Sequence, residues 1–292
     1  MSKKKCTLKI ATYNIYNDDL GQEKRADLIL RELCAVDADI IGLQEVTEKF
    51  FKNYLSVNSA FFMRDSVQEL YTIKRCEERE ASIFNYSAFF KYQGENEGLA
   101  ILSRYPFEEI FFLQTSRAWE ESNALNVLFS VNGFRFSLTN LHLPWDSARQ
   151  KEKQITAIDR YIHLQQDKAD FFILLGDFNS NLNSSVHRFL LGDQTIDGAE
   201  SNLYWNDVQS GYCARTGTPM TATLDFIHNP RWKENENIYV PKVTDRIYVM
   251  ESWYTIAIKE FQIFGTKIFE DMEVYASDHY GITAKLQFEK EI

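Results

Sequence analysis

No C-x-x-C pair occurs in this chain, and its four cysteines, Cys6, Cys34, Cys76 and Cys213, are scattered over 292 residues. That spacing excludes the common cysteine-based metal motifs and offers no disulfide framework. The cysteines read as free thiols in a reducing compartment. No run of 18 apolar residues is present, and the basic start, Met1 to Lys5, leads into Thr7–Ile15 without an apolar signal core. A transmembrane segment and a secretory leader are not expected, and a soluble, cytoplasmic protein is. A basic excess is also missing: 32 Lys+Arg face 42 Asp+Glu, a net charge of −10. Proteins that grip long duplex through many phosphates carry an excess of Lys and Arg, so that mode of binding is disfavoured. The sequence shows no repeat of solenoid period, no low-complexity tract, and no serine or cysteine nucleophile in a recognisable elbow.

What is present is a large apolar fraction, 45%, with 22 Phe and 15 Tyr. Such a chain can bury a sizeable core, and disorder is not expected. With no linker separating its motifs, it reads as a single domain over 1–292. Thr7–Ile15 reads as a strand reaching Asn14. Glu23–Val36 has helical spacing, with Ala26, Ile29, Leu30 and Leu33 on one face, and Asp39–Leu43 is a short apolar strand before Glu45. Asn14 and Glu45 are therefore joined by strand–helix–strand, and a right-handed crossover places both at the carboxyl edge of one sheet. The pattern recurs. Phe134–Leu141 reaches His142, Ser147–Gln166 is helical through Ile155, Ile158 and Ile162, and Asp170–Leu175 leads to Asp177. Glu97–Ser103, Glu109–Gln114 and Leu125–Val131 read as a meander, and Val243–Val249, Ile256–Phe264 and Gly281–Phe288 as later strands. Residues 62–84 are charged and read as a helix with loops. Residues 192–242, rich in Gly, Asn, Thr and Pro and holding Trp205 and Trp232, read as a long substrate-shaping loop. These elements make an α/β layered domain with ligands bound outside strand carboxyl ends.

Six short motifs end these runs: Thr12-Tyr13-Asn14, Leu43-Gln44-Glu45-Val46, Asn140-Leu141-His142, Gly176-Asp177-Phe178-Asn179, Thr244-Asp245-Arg246-Ile247 and Ser277-Asp278-His279. They supply oxygen ligands for a hard divalent cation and two imidazoles for proton transfer or phosphate contact. The chemistry this suggests is metal-assisted hydrolysis by water. Glu45 is the first metal candidate, supplemented by Asn14 and Asp278. Asp177 and Asn179 share a face in extended geometry, and Gly176 permits a sharp bend beside them. An Asx-turn is the alternative use of that Asp-x-Asn step. His163, His187 and His228 read as structural. Trp145 offers either a stacking face at the rim or a core ring.

The ordered motifs resemble the endonuclease/exonuclease/phosphatase superfamily, the DNase I-like phosphoesterases. They are nearest to its 5′-tyrosyl-DNA phosphodiesterase and neutral sphingomyelinase branches. The resemblance implies a four-layer α/β sandwich: two mixed β-sheets packed face to face, with helices outside. It implies a phosphodiesterase using Mg²⁺, with Mn²⁺ as a substitute. Asp177 would orient or deprotonate the attacking water, and Asn179, His142 and His279 would contact the phosphate. Asp245 would hold the His279 ring. The expected partner is a phosphate ester, with single-stranded nucleic acid among the candidates, and no obligate protein partner is expected. Two departures count against an inositol phosphatase: Val243 precedes Thr244-Asp245, and Asn179-Ser180-Asn181 follows Gly176-Asp177. A phospholipid phosphoesterase and an inactive binding module remain as alternatives.

Overall fold

The computed structural model describes residues 3–17, 21–57, 59–62, 84–92, 95–113, 124–232, 238–250, 252, 254–267 and 275–291. Its strands are β1 (Lys3–Asn14), β2 (Ile40–Val46), β3 (Ser59–Phe62), β4 (Tyr86–Lys91), β5 (Gly98–Ser103), β6 (Phe107–Leu113), β7 (Ala124–Val131), β8 (Phe134–His142), β9 (Phe171–Asp177), β10 (Trp205–Asp207), β11 (Asp245–Met250), β12 (Thr255–Phe264) and β13 (Gly281–Glu291). The α-helices are α1 (Ala26–Val36), a single turn α2 (Glu48–Phe50), α3 (Ala148–His163), α4 (Ser185–Leu190) and α5 (Val208–Thr216). The strands form a seven-stranded sheet, β12-β13-β1-β2-β5-β4-β3, and a six-stranded sheet, β10-β11-β9-β8-β7-β6. Both are mixed. Within them β1 lies parallel to β2 and β8 parallel to β9, the neighbours that two crossovers require.

Strand periodicity builds the layers. Side chains alternate faces along a strand. Leu8 and Ile10 of β1 join Phe136 and Leu138 of β8, and Ile173 and Leu175 of β9, in a core between the sheets. The intervening residues face outward. Ala11 and Tyr13 pack with Ile29 and Leu33 of α1, while Phe172 and Leu174 pack with Ile155, Ile158 and Ile162 of α3. Three apolar interfaces separate four layers, helix–sheet–sheet–helix, as the motifs implied.

Several expectations are corrected. The stretch 192–242 is not one long loop. Trp205 is buried in β10 and donates its indole N–H to Asp159 Oδ1 at 2.9 Å. α5 follows directly, with the Asp207 carboxylate accepting the Ser210 N–H at 2.6 Å as its N-cap. Residues 192–204 and the described residues beyond Gly217 are largely irregular, with a short 3₁₀ turn at Pro230–Trp232. The helix expected over Glu23–Val36 begins as a 3₁₀ turn, Gln22–Arg25, because both Gln22 and Arg25 turn inward to bond backbone carbonyls. α4 and β4 were not expected at all. The helix expected in 62–84 falls almost wholly on residues 63–83, and Gln114 and Cys76 fall there or in 114–123; all lie outside the described residues. Cys6, Cys34 and Cys213 are free thiols. No helix among the described residues is long and apolar enough to cross a membrane.

Candidate active site

The inter-sheet layer changes character along the strands. The same parity that carries Leu8 and Ile10 continues to Thr12 and Asn14. In β8 it continues to Asn140 and His142, in β9 to Asp177, and in the antiparallel β11 it begins at Asp245. At the carboxyl edge of the parallel pairs the greasy core thus gives way to a polar layer. Its floor joins the two sheets: Gln44 Nε2 donates to Thr12 Oγ1 at 2.9 Å and to Asn140 Oδ1 at 2.6 Å. Asn140 Nδ2 donates to the Leu43 and Ala100 carbonyls at 2.9 and 3.0 Å. The sheets approach closely here, and a Cβ at Gly42 would collide with Leu175 and Asn140.

Above that floor the expected site residues come together. In register, Asp177 lies opposite His142 on one side and Asp245 on the other. Asn14 Nδ2 donates across the sheets to Asp177 Oδ2 at 3.1 Å and to Glu45 Oε1 at 2.9 Å, while its Oδ1 accepts the Tyr16 N–H at 3.0 Å. Glu45 Oε2 accepts the Asn17 N–H at 2.8 Å. The Asn179 N–H donates to Asp177 Oδ1 at 2.8 Å, which is the Asx-type turn considered above. That turn and a site role prove compatible, because the Asn179 amide still reaches His142 Nε2 at 3.2 Å and the Leu143 carbonyl at 2.9 Å. His279 Nδ1 meets Asp245 Oδ2 at 2.8 Å, the hydrogen bond expected between them. The free edges of both imidazoles then converge: His142 Nε2 and His279 Nε2 lie 3.6 and 3.8 Å from Asp177 Oδ2.

The backbone is bent to make this cluster. Glu45 has φ 57° and Asn179 φ 44°, in the left-handed region where L residues are strained, and Gly176 has φ 139°. Such outliers cluster at functional sites because the surroundings must hold them. At Gly176 a side chain would also strike the Leu141 carbonyl. A register shift between Leu43 and Val46 accompanies the turn at Glu45.

Electrostatics separate the groups. Burial alone would lower the His279 pKa, but Asp245, Asp177 and Asp278 around it outweigh that and hold it well above the usual imidazole value. Its Nδ1 edge faces Asp245. Burial raises the Asp278 pKa to about 6, despite His279 beside it, and Glu45 adds repulsion. Asp245 is fully buried, and its Oδ1 has no hydrogen-bond partner. Crowded oxygen donors with uncompensated negative charge fit a hard divalent cation. Ligand atoms of Asp177, Asp245 and His279 also lie within 4.8 Å of one another. Glu45 and Asp278 add two further carboxylates beside this cluster.

Three groups escaped sequence reasoning. Glu97, at the start of β5, has its pKa raised to about 7, by burial first and then by Glu45; its Oε2 accepts from Asn17 Nδ2 at 3.2 Å. Arg25 donates to the Ile15 carbonyl at 3.0 Å and to those of Ala276 and Tyr16, tying the loop after β1 to the loop before His279. Lys151 donates to the Asn179 carbonyl at 2.8 Å. None sits in a recognisable motif, and only the strand-end position of Glu97 gave a signal. Trp145 is 80% exposed, which removes it from the core. His187 is buried against the Tyr248 hydroxyl at 2.6 Å, as a structural histidine should be.

This arrangement belongs to a known class. The chain is a member of the Endonuclease/Exonuclease/phosphatase family, whose model matches residues 11–279. It is 26% identical, over 288 aligned positions, to the CCR4-Not complex 3′-5′-exoribonuclease subunit Ccr4 of Aspergillus niger, covering 81% of this chain and 41% of that protein. A probable Ccr4 subunit of Vairimorpha ceranae is 28% identical over 190 positions, 59% of this chain and 39% of that one. The chain thus spans about two fifths of the length of these relatives. The fold matches the D. rerio TDP2 crystal structure with single-strand DNA product at a TM-score of 0.68, with 18% identity, over 96% of this chain and 98% of that one.

Proposed function

We propose that this chain, as one domain over 1–292, is a Mg²⁺-dependent phosphodiesterase that cuts single-stranded nucleic acid or a small phosphodiester by attack of water. The observation that carries this reading is the approach of two imidazoles, one from each sheet, to the single carboxylate of Asp177. Glu45 and Asp278, braced by Asn14, would hold the divalent ion, which neutralises charge on the phosphoryl oxygens. The Asp177 carboxylate, oriented by the Asn179 N–H and the Asn14 amide, takes the proton of the attacking water. The His279 cation, its Nδ1–H fixed by Asp245, presents Nε2–H to a phosphate oxygen, and His142 and the Asn179 amide supply contacts from the other side.

The relatives support the choice of substrate: the Ccr4 subunits are named as exoribonucleases, and the TDP2 structure holds a single-strand DNA product. The net charge of −10 is in keeping with a ligand that needs few phosphate contacts. The test is a panel of bis-p-nitrophenyl phosphate, single- and double-stranded DNA, RNA, 5′-tyrosyl oligonucleotide, sphingomyelin and inositol phosphates, with Mg²⁺, Mn²⁺ or EDTA. Mg²⁺-dependent cleavage of single strands or the small diester is expected, and loss of it in EDTA. Preferred hydrolysis of lipid or inositol phosphates, or no metal-dependent turnover at all, overturns the reading.

A further inference from the structure

Between α5 and β11, the polar side chains of Thr223 and Asn229 are fully buried. Thr223 is 0% exposed and Asn229 1%. Burying such groups is costly unless their hydrogen bonds are made. The Thr223 N–H donates to the Lys242 carbonyl at 2.9 Å, and its hydroxyl and carbonyl turn toward the candidate site. Its Oγ1 accepts the Thr244 N–H and the Asp245 N–H, each at 3.1 Å. Its carbonyl accepts the Tyr280 N–H at 2.7 Å. One residue thereby grips the backbone of Asp245 and the backbone immediately after His279. Six residues on, Asn229 Nδ2 donates to the Ser277 and Asp278 carbonyls at 3.1 and 2.9 Å.

These contacts solve a particular mechanical problem. Asp245 opens β11 in the six-stranded sheet, whereas His279 precedes β13 in the seven-stranded sheet. No ladder of backbone hydrogen bonds joins those two strands. Their side chains must nevertheless stay 2.8 Å apart for the His279 ring to keep one orientation. We infer that Thr223 is the positioning residue that fixes the Asp245–His279 pair, clamping its two partners to one another from opposite sheets, with Asn229 as the second arm of the same strap. Thr223 touches neither the reacting atoms nor the imidazole. It acts through the register of the two chain segments.

The inference rests on the functional reading above only for its effect on turnover, so the test has an arm that does not need turnover. Thr223→Val keeps the shape and removes the hydroxyl; Thr223→Ser keeps the hydroxyl. The first measurement is the downfield proton resonance of the His279 Nδ1–H bonded to Asp245, assigned by its loss in Asp245→Asn. Thr223→Val is expected to lose or broaden that signal, and Thr223→Ser to keep it. Hydrogen exchange at the Thr244 and Asp245 amides should quicken in Thr223→Val alone. The second measurement is turnover with Mg²⁺. Thr223→Val should lower kcat about tenfold, the effect of about 1.4 kcal/mol on a barrier, with KM within about twofold. Thr223→Ser should restore it. If Thr223→Val fails to fold, Asn229→Asp, which keeps size and loses both donated bonds, takes its place in both arms. A folded Thr223→Val with an unchanged His279 signal and unchanged kcat overturns the strap. An altered signal in a protein with no turnover on any substrate upholds the strap and sinks the functional reading instead.

Discussion

The two crossover units, β1–α1–β2 and β8–α3–β9, are built alike and end unlike. Both place two parallel strands side by side under one helix, and both stop at the same polar layer. The first ends in Asn14 and Glu45, an amide and a carboxylate tied to backbone and to each other. The second ends in His142, Asp177 and Asn179, groups that can move a proton or touch phosphate. Each needs a left-handed residue at its tip, Glu45 in one and Asn179 in the other. The lesson is that one supersecondary frame, used twice, presents different chemistry at its two tips; under the proposed function the first would hold the ion and the second would do the acid–base work.

Substitutions in the two units should therefore separate ion binding from turnover. The largest effect is expected for Glu45→Ala, with turnover in Mg²⁺ falling on the order of 10³-fold or more and the calorimetric heat of ion binding lost. His142→Ala should keep that heat and lose about 10²–10³-fold in turnover; if it abolished ion binding, the division would be broken. Asp245→Asn lies outside both units and couples to them through His279. It should cost about 10²–10⁴-fold in turnover while Mg²⁺ still binds, because the ring loses its charge partner. Trp145, exposed on the link that follows His142, sharpens the role of the second unit. Trp145→Ala should slow cleavage of single-stranded oligonucleotides about tenfold through lost stacking and leave bis-p-nitrophenyl phosphate unaffected.

Two smaller effects concern stability. Glu45 is strained at φ 57°, so Glu45→Gly should be more stable to urea than Glu45→Ala by about 1 kcal/mol, though both are inactive. Near the second unit, burial and then Arg246 lower the His187 pKa from 6.5 to about 4. The unfolded chain therefore binds a proton at a pH where the folded one does not. This contribution is fully present above pH 6.5 and is lost as pH falls toward about 4. His187→Gln should flatten the wild-type urea midpoint across that window; an equal slope in both proteins would remove His187 as its source.

Much of this frame could be read beforehand because its signals were periodic. Alternation in β8, the apolar run of β9, the helical spacing of α1 and α3, and the motif at each strand tip were all legible as local patterns. The rest was hidden for identifiable reasons. β10 has three residues, too few for a period, so Trp205 read as a loop aromatic although it fills the core. α4 begins at Ser184 in an Asn- and Ser-rich stretch whose composition mimics a turn, and only its cap, the Ser184 hydroxyl accepting the His187 N–H, betrays it. Thr223, Asn229 and Arg25 act on backbone groups remote in sequence, a use that no local pattern records. Motifs announce the groups that meet substrate; the groups that hold those groups in place are generic residues, visible only in three dimensions.

The position of β13 carries a consequence for the order in which the candidate site assembles. β13 lies between β12 and β1, so the last described strand completes the neighbourhood of the first. Pairing of residues 281–291 with Lys3–Thr12 joins the contacts from Arg25, Thr223 and Asn229 in holding Asp278 and His279 in place. A growing chain can lay down Glu45, His142, Asp177 and Asp245 and still lack Asp278 and His279 beside them. The candidate site is thus completed only by pairing between residues near opposite ends of the described sequence.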